Sequence, residues 1–82
     1  MSQAYVPINC EFHDVLEATA VRRQPATIRY LDEEGHLRVV QARILDLHAA
    51  DSVEYMRLDD GGVVRLDRIV GVDDAERGAF EA

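Results

Sequence analysis

A helical pattern of apolar positions runs over residues 10–22. Apolar and small residues recur three and four positions apart, the spacing of one buried helical face, at Phe12, Val15, Leu16, Thr19 and Ala20. Asn9 precedes the pattern and is a favourable N-cap, whereas Pro25 cannot continue a helix. The pattern therefore predicts one amphipathic helix over about residues 10–22.

The rest of the chain has the pattern of short strands joined by tight turns. Asp59-Asp60-Gly61-Gly62 is the clearest hairpin turn. The second predicted strand is long and its apolar residues do not alternate regularly, so we expect a bend or bulge within it. Residues 73–82 are mostly polar, and we expect a frayed acidic tail there. The five predicted strands cover residues 27–31, 37–47, 52–58, 63–66 and 69–72.

One N-terminal helix followed by five strands predicts a mainly β protein. This order is typical of a small, bent antiparallel β-barrel or sandwich of the Sm-like (SH3-like) type, with the helix packed on one end. An OB-fold also has five strands, but its helix usually lies between strands, so the N-terminal helix favours the Sm-like arrangement. At 82 residues, the chain is expected to form a single domain over residues 1–82.

The charge of the chain is negative and unevenly distributed. Sixteen acidic residues against nine basic ones give a net charge of -7, and the acidic excess lies in the two ends of the chain. This sign opposes direct binding to nucleic acid and favours a partner with a basic surface. Glu11, Asp14 and Glu17 fall on the helix face opposite the apolar stripe. They form either an acidic recognition ridge or an ordinary solvent-exposed face.

Catalytic and metal-binding patterns are weak. Cys10 and His13 lie three positions apart on the predicted helix, a spacing that can serve a metal ion or a thiolate–imidazole pair. A zinc site needs four good ligands, and the other nearby groups are carboxylates, so we expect no metal and no cofactor. Paired carboxylates can hydrolyse glycosides, but that chemistry needs a cleft, which so small a chain has little room to build. We expect a binding protein and not an enzyme.

The sequence also bears on the compartment. The single cysteine, Cys10, excludes an intramolecular disulfide and fits a reducing environment. The apolar runs are too short to span a membrane, and the first residues lack the basic-then-apolar pattern of a signal peptide. We therefore expect a cytoplasmic protein with no membrane contact.

Several motifs carry a family resemblance over nearly the whole chain. Tyr5-Val6-Pro7-Ile8-Asn9-Cys10, followed by His13-Asp14-Val15-Leu16-Glu17, resembles the opening of the Rho-binding antiterminator family (Rof, also called YaeO). Val53-Glu54-Tyr55 and Arg65-Leu66-Asp67-Arg68-Ile69 resemble that family's third strand and its Leu-Asp-x-Ile close. Each motif is short, and the specificity comes from their order and spacing together.

The resemblance implies an Sm-like barrel with an N-terminal helix and a role in transcription regulation. Family members bind the N-terminal RNA-binding domain of the hexameric terminator Rho, block RNA loading and suppress Rho-dependent termination. We accordingly expect a monomer that contacts Rho and does not bind nucleic acid directly. Carried over to this chain, the partner-binding residues are Asn9, Cys10, Glu11, His13, Asp14 and Glu17.

Position 13 departs from the family, which has Tyr where this chain has His13. If this ring contacts the partner, binding is expected to be weaker or to depend on pH. An Sm-like RNA-binding protein is the alternative function. The predicted barrel allows it, whereas the net charge and the absence of a basic stripe oppose it.

Overall fold

A computed structural model describes residues 5–80, which form two antiparallel sheets, one α-helix and two 3-10 turns. The predicted mainly β fold with one helix is confirmed, and the two sheets are consistent with an Sm-like barrel or sandwich. One sheet has the strand order β2-β1-β6-β7 and the other β3-β4-β5. No helix among the described residues has the length and apolar character needed to cross a membrane. The elements are α1 (Cys10–Arg22), β1 (Ala26–Leu31), β2 (Leu37–Ala42), β3 (Ile44–Ala50), β4 (Val53–Leu58), β5 (Val63–Arg65), β6 (Ile69–Val72) and β7 (Ala75–Glu76), with 3-10 turns at Leu66–Arg68 and Arg77–Phe80.

Helix α1 begins and ends where its capping residues predict. The Asn9 side chain accepts a hydrogen bond from the backbone N–H of Glu11 at 2.7 Å, which satisfies one of the free donors at the helix start. At the other end Arg23 adopts a left-handed conformation with φ 55°, and its N–H bonds to the carbonyl of Ala20. The buried side of the helix is formed by Phe12, Leu16 and Thr19.

The predicted strand over residues 37–47 is in fact two strands, β2 and β3, which belong to different sheets. Arg43 lies between them, and its N–H bonds to the Asp59 side chain while the Asp59 N–H bonds to the Arg43 carbonyl, both at 3.0 Å. The pairing of β3 with β4 is irregular between Ile44 and Asp46. The expectation of a bend or bulge is therefore met by a bend, which carries the chain from one sheet to the other.

Glycine-containing turns join two of the hairpins, and the turn predicted at Asp59-Asp60-Gly61-Gly62 is confirmed. Asp32 accepts hydrogen bonds from the N–H groups of Glu34 and His36, both at 2.9 Å, in the turn between β1 and β2. In the turn between β4 and β5, Gly61 has a φ of 90°, a conformation that favours glycine. Its N–H bonds to the carbonyl of Leu58 at 3.1 Å. These turns fix the register of the hairpins that they join.

The core lies between the two sheets and is closed at one end by α1. The helix packs mainly against β3 and the C-terminal 3-10 turn. Because its buried side chains enter this core, the acidic residues on the opposite side of the helix are directed to solvent. The largest fully buried side chains are Phe12, Leu16, Ile28, Met56, Leu66, Ile69 and Val72.

The expectation of a frayed tail over residues 73–82 is wrong as far as residue 80, and residues 81–82 lie outside the described residues. Strand β7 pairs with β6, with Glu76 opposite Gly71 and Ala75 opposite Val72. The ring of Phe80 lies 5.6 Å from that of Phe12, measured between centroids. Phe80 of the tail thus packs against the buried side of α1. Its few apolar residues, separated by polar ones, show no helical or strand period, so the pattern could not predict this packing.

Candidate protein-binding surface on the N-terminal helix

The structure brings the six predicted partner-binding residues together on the N-cap and first two turns of α1. Five of them are exposed and one, His13, is partly buried. Their spacing along the helix follows from the amphipathic pattern, because residues three and four apart share a face. The exposed five are Asn9, Cys10, Glu11, Asp14 and Glu17.

Asn9 has a structural role that limits what it can offer a partner. Its side-chain oxygen caps the helix through the Glu11 N–H, and its carbonyl accepts the first helical hydrogen bond from the His13 N–H at 2.9 Å. Glu11 lies in the first turn, where the positive end of the helix dipole favours a carboxylate. The side-chain amide of Asn9 is therefore the group through which it can donate to a partner.

The acidic face of α1, formed by Glu11, Asp14 and Glu17, is open to solvent. Among residues 5–80, no arginine forms an ion pair with any of these three carboxylates. Glu17 contacts a histidine instead, and its side chain is 57% exposed. Three carboxylates without a guanidinium partner give this face a negative potential that is available to cations from outside.

His13 connects the acidic face to the barrel. Its Nδ1 lies 2.8 Å from an oxygen of Glu17, one turn along α1, and its Nε2 lies 2.9 Å from an oxygen of Glu54 on β4. A neutral imidazole carries a single N–H, so both contacts are hydrogen bonds at the same time only in the protonated ring. With a side chain 24% exposed, His13 forms a carboxylate–histidine bridge, defined here as Glu17, His13 and Glu54.

The N-terminal segment joins this bridge through Tyr5. Its hydroxyl donates to the second oxygen of Glu54 at 3.3 Å, and the guanidinium carbon of Arg65 lies 5.7 Å from the centre of its ring. Burial, and then the negative charge of Glu54, raise the pKa of Tyr5 to about 12. Tyr5 therefore remains a hydrogen-bond donor at neutral pH. The N–H of Val6 also bonds to Asp67 at 3.1 Å, which fixes the segment before the helix.

A groove of about 370 Å³ lies beside the acidic face, between α1 and the β3–β4 hairpin. Its walls combine apolar side chains with two carboxylates, those of Glu17 and Glu54. Such walls suit a long cationic side chain, whose stem is apolar and whose end is charged. The groove is lined by His13, Glu17, Ala20, Val21, Leu47, His48, Ala49 and Glu54.

In the described residues, the side chains that lie close enough together to hold a metal ion include His13 but not Cys10. Cys10 is exposed and free, whereas the ligand atoms of His13, Asp14 and Glu17 lie within 4.8 Å of one another. Both ring nitrogens of His13 are at hydrogen-bonding distance from carboxylates. A metal ion at this point would have to displace one of these contacts, so the arrangement is accounted for by hydrogen bonding.

A second cleft, of about 340 Å³, bears on the RNA-binding alternative. Tyr30 and Tyr55 line it, together with Arg65 and Arg68, but Asp32 and Glu33 line it as well. The Arg65 guanidinium is bonded to both oxygens of Asp67. The cleft thus has mixed charge and differs from the basic groove with stacking aromatics that single-stranded nucleic acid requires.

Glu54 is the residue of this surface that the site prediction from sequence missed. Residues of a strand alternate between its two sides, and Glu54 falls on the same side of β4 as the buried Met56 and Leu58. A carboxylate on the inward side of a strand needs a partner. This position was therefore a usable signal, although it could not identify His13 and Tyr5 as the partners.

The chain is similar to two curated proteins over most of its length. It is 32% identical over 81 residues to Protein rof of Escherichia coli (strain K12), an alignment that covers 95% of this chain and 92% of the relative. Protein rof of Shigella flexneri gives the same identity and coverage. No family model matches the chain, and no solved structure matches it.

Proposed function

Because this chain belongs to the family of Protein rof, we propose that it inhibits Rho-dependent transcription termination. In this proposal the protein acts in the cytoplasm as a monomer and binds the N-terminal RNA-binding domain of Rho. Its presence there blocks RNA loading, which results in antitermination. The proposed function involves no catalytic step and no cofactor.

The observation that carries this proposal is the acidic face of α1. An RNA-binding domain presents basic side chains to the phosphates of RNA, and Glu11, Asp14 and Glu17 offer carboxylates to the same kind of side chain. Charge complementarity of this kind accelerates association and excludes partners of the wrong sign. The groove beside the face adds room for a cationic side chain.

The test is a binding titration with the purified N-terminal domain of Rho. We expect the wild type to bind, to bind more weakly at higher salt, and to lose at least about tenfold in affinity in the variant Asp14→Lys/Glu17→Lys, because reversed charges face a basic surface. Thermal unfolding of the variant checks that it remains folded.

The matched control is Glu33→Lys/Glu34→Lys, which makes the same change in charge at exposed positions of the β1–β2 turn. We expect it to bind Rho nearly as well as the wild type. Equal losses in the two variants would show that net charge alone governs binding, and an absence of Rho binding at every salt concentration would refute the proposal. Tight, salt-sensitive binding of RNA by the wild type would support the RNA-binding alternative instead.

A further inference from the structure

We infer that Glu54 is a positioning residue for the acidic face of α1 and that it acts through His13, so that loss of the His13 proton releases Glu17 and strengthens binding to a basic partner. The inference rests on the proposed function and adds a regulation of the same surface. It concerns a residue outside the six that were predicted to contact the partner.

The geometry around Glu54 is that of an anchor shared by three segments. One of its oxygens accepts from the Tyr5 hydroxyl of the N-terminal segment, and the other lies 2.9 Å from the Nε2 of His13 on α1. Glu54 itself is held in β4, which pairs with both β3 and β5. A single carboxylate in the middle of a sheet therefore fixes the position of the His13 ring.

The protonation state of His13 decides how many carboxylates it can hold. The protonated ring donates to both Glu17 and Glu54, and the neutral ring donates to only one of them. Glu54 has a side chain that is 36% exposed, whereas that of Glu17 is 57% exposed. Because water replaces a lost donor more readily at the more exposed carboxylate, the remaining N–H stays on Glu54, which also accepts from Tyr5, and Glu17 is released.

Release of Glu17 changes the surface in two ways. Its oxygens become free to accept from a partner, and the face loses the positive charge that had compensated it. Both changes favour a cationic partner. The groups that face His13 are Asp14 and Glu17 on α1, Glu54 on β4, Tyr5 in the N-terminal segment, whose hydroxyl shares Glu54, and His48 on β3, which lines the same groove.

His48 is the other histidine of the groove, and its contacts differ from those of His13. Its Nδ1 lies 3.6 Å from an oxygen of Asp46, and its ring stacks on that of Tyr55 at 5.5 Å between centroids. Titration of His48 therefore acts on a different carboxylate. The variant His48→Gln separates its contribution from that of His13.

The first experiment uses the free protein, so its result does not depend on Rho. In an NMR titration we expect the side-chain carboxyl signal of Glu17 to follow the titration of the His13 ring. We expect Glu54→Gln to weaken this coupling, because the His13 ring then loses the carboxylate that fixes its position. The exposed control Glu33→Gln should leave it unchanged. A Glu17 signal that does not change with the protonation of His13, or a coupling that Glu54→Gln leaves intact, would overturn the inference.

The second experiment measures affinity for the N-terminal domain of Rho at several pH values across the range in which histidines titrate. We expect the wild type to gain about two- to fivefold in affinity relative to His13→Gln as pH rises, the effect of one exposed ion pair. Both proteins are measured against the same Rho domain, so any effect of pH on Rho itself cancels in the ratio of the two affinities. The matched control His36→Gln, at an exposed histidine of the β1–β2 turn, should retain the wild-type profile.

The two experiments separate the possible failures. If the profiles of the wild type and His13→Gln run parallel, the regulation is refuted while Rho binding stands. If Rho does not bind at any pH, the proposed function fails, and the bridge is still accepted or rejected by the NMR titration. Glu54→Gln should flatten the pH profile as His13→Gln does, which a merely structural role of Glu54 would not produce.

Discussion

The acidic side chains of the strands and turns differ from those of helix α1 in their partners. On the strands and turns, several carboxylates are paired with an arginine at 2.6 to 2.9 Å. On α1, Glu11 and Asp14 have no arginine partner among residues 5–80, and Glu17 contacts only a histidine. The paired carboxylates are those of Asp32 with Arg38, Asp46 with Arg57, Asp67 with Arg65 and Glu76 with Arg29.

The difference separates carboxylates that stabilise the fold from carboxylates that are available to a partner. A carboxylate bonded to a guanidinium contributes to the folded state and offers little to a partner, because its lone pairs and its charge are already matched. On α1, the lone pairs and the charge of the carboxylates remain available to a partner. Substitutions in the first group should therefore alter stability, and substitutions in the second should alter binding.

The largest effect on stability should come from Asp67→Ala. The Asp67 side chain is 11% exposed and accepts from Arg65 at 2.6 Å and from the Val6 N–H at 3.1 Å. Loss of these bonds should reduce the free energy of unfolding by about 1–3 kcal/mol, because the Arg65 guanidinium, on a side chain that is 19% exposed, loses this acceptor. Urea unfolding measures the loss. The exposed control Asp74→Ala should change stability by less than about 0.5 kcal/mol, and equal losses in the two variants would contradict the distinction.

An intermediate, pH-dependent effect is expected for Asp32→Asn. Hydrogen bonds from the His36 backbone and then from the Arg38 side chain lower the pKa of Asp32 from its ordinary value of 3.8. A lowered pKa in the folded state gives stability that is complete above 3.8 and is lost as pH falls through the lowered value.

The wild type should therefore unfold at a higher urea concentration than Asp32→Asn at neutral pH, and the two midpoints should converge in acid. Asparagine keeps a side-chain oxygen for the turn, so the comparison isolates the charge of Asp32. A difference between the midpoints that stays constant down to strongly acidic pH would show that the charge is not responsible.

The smallest effect on stability should come from Asp14→Asn. Asp14 is exposed on α1 and, within residues 5–80, has no ion-pair partner, so its free energy of unfolding should change by less than about 0.5 kcal/mol. Its affinity for the Rho domain should nevertheless fall, because one carboxylate of the acidic face is lost. If Asp14→Asn lost as much stability as Asp67→Ala and kept its affinity for the Rho domain, the distinction between the arginine-paired carboxylates and those of α1 would be contradicted.

Local signals predicted the elements that depend on neighbouring residues. Asn9 and the apolar spacing of residues 10–22 predicted α1 with its bounds, because a cap and a helical face are set within a few positions. The same spacing predicted that Glu11, Asp14 and Glu17 would share an exposed face. The hairpin turn at Asp59-Asp60-Gly61-Gly62 was predicted for the same reason.

Features that depend on distant residues were missed or predicted only in part. The irregular alternation over residues 37–47 indicated a bend, but the reciprocal bonds of Arg43 and Asp59, which place it, join residues sixteen positions apart. The packing of Phe80 on Phe12 joins the two ends of the chain, and no local period marks it. The distribution of acidic residues along the sequence does not show which carboxylates lie next to arginines in the folded protein.

The sequence by itself determined the helix, its caps, the mainly β character of the rest and the acidic face, since each follows from the order of residues within a few turns or one strand. The tertiary structure alone decided the pairings between distant residues, such as Arg29 with Glu76, and that Glu54, His13 and Tyr5 meet at one point. The reason is distance along the chain: His13 and Glu54 are separated by 41 positions and Tyr5 and Glu54 by 49. Contacts between such residues exist only after the sheets have formed and the helix has packed on them.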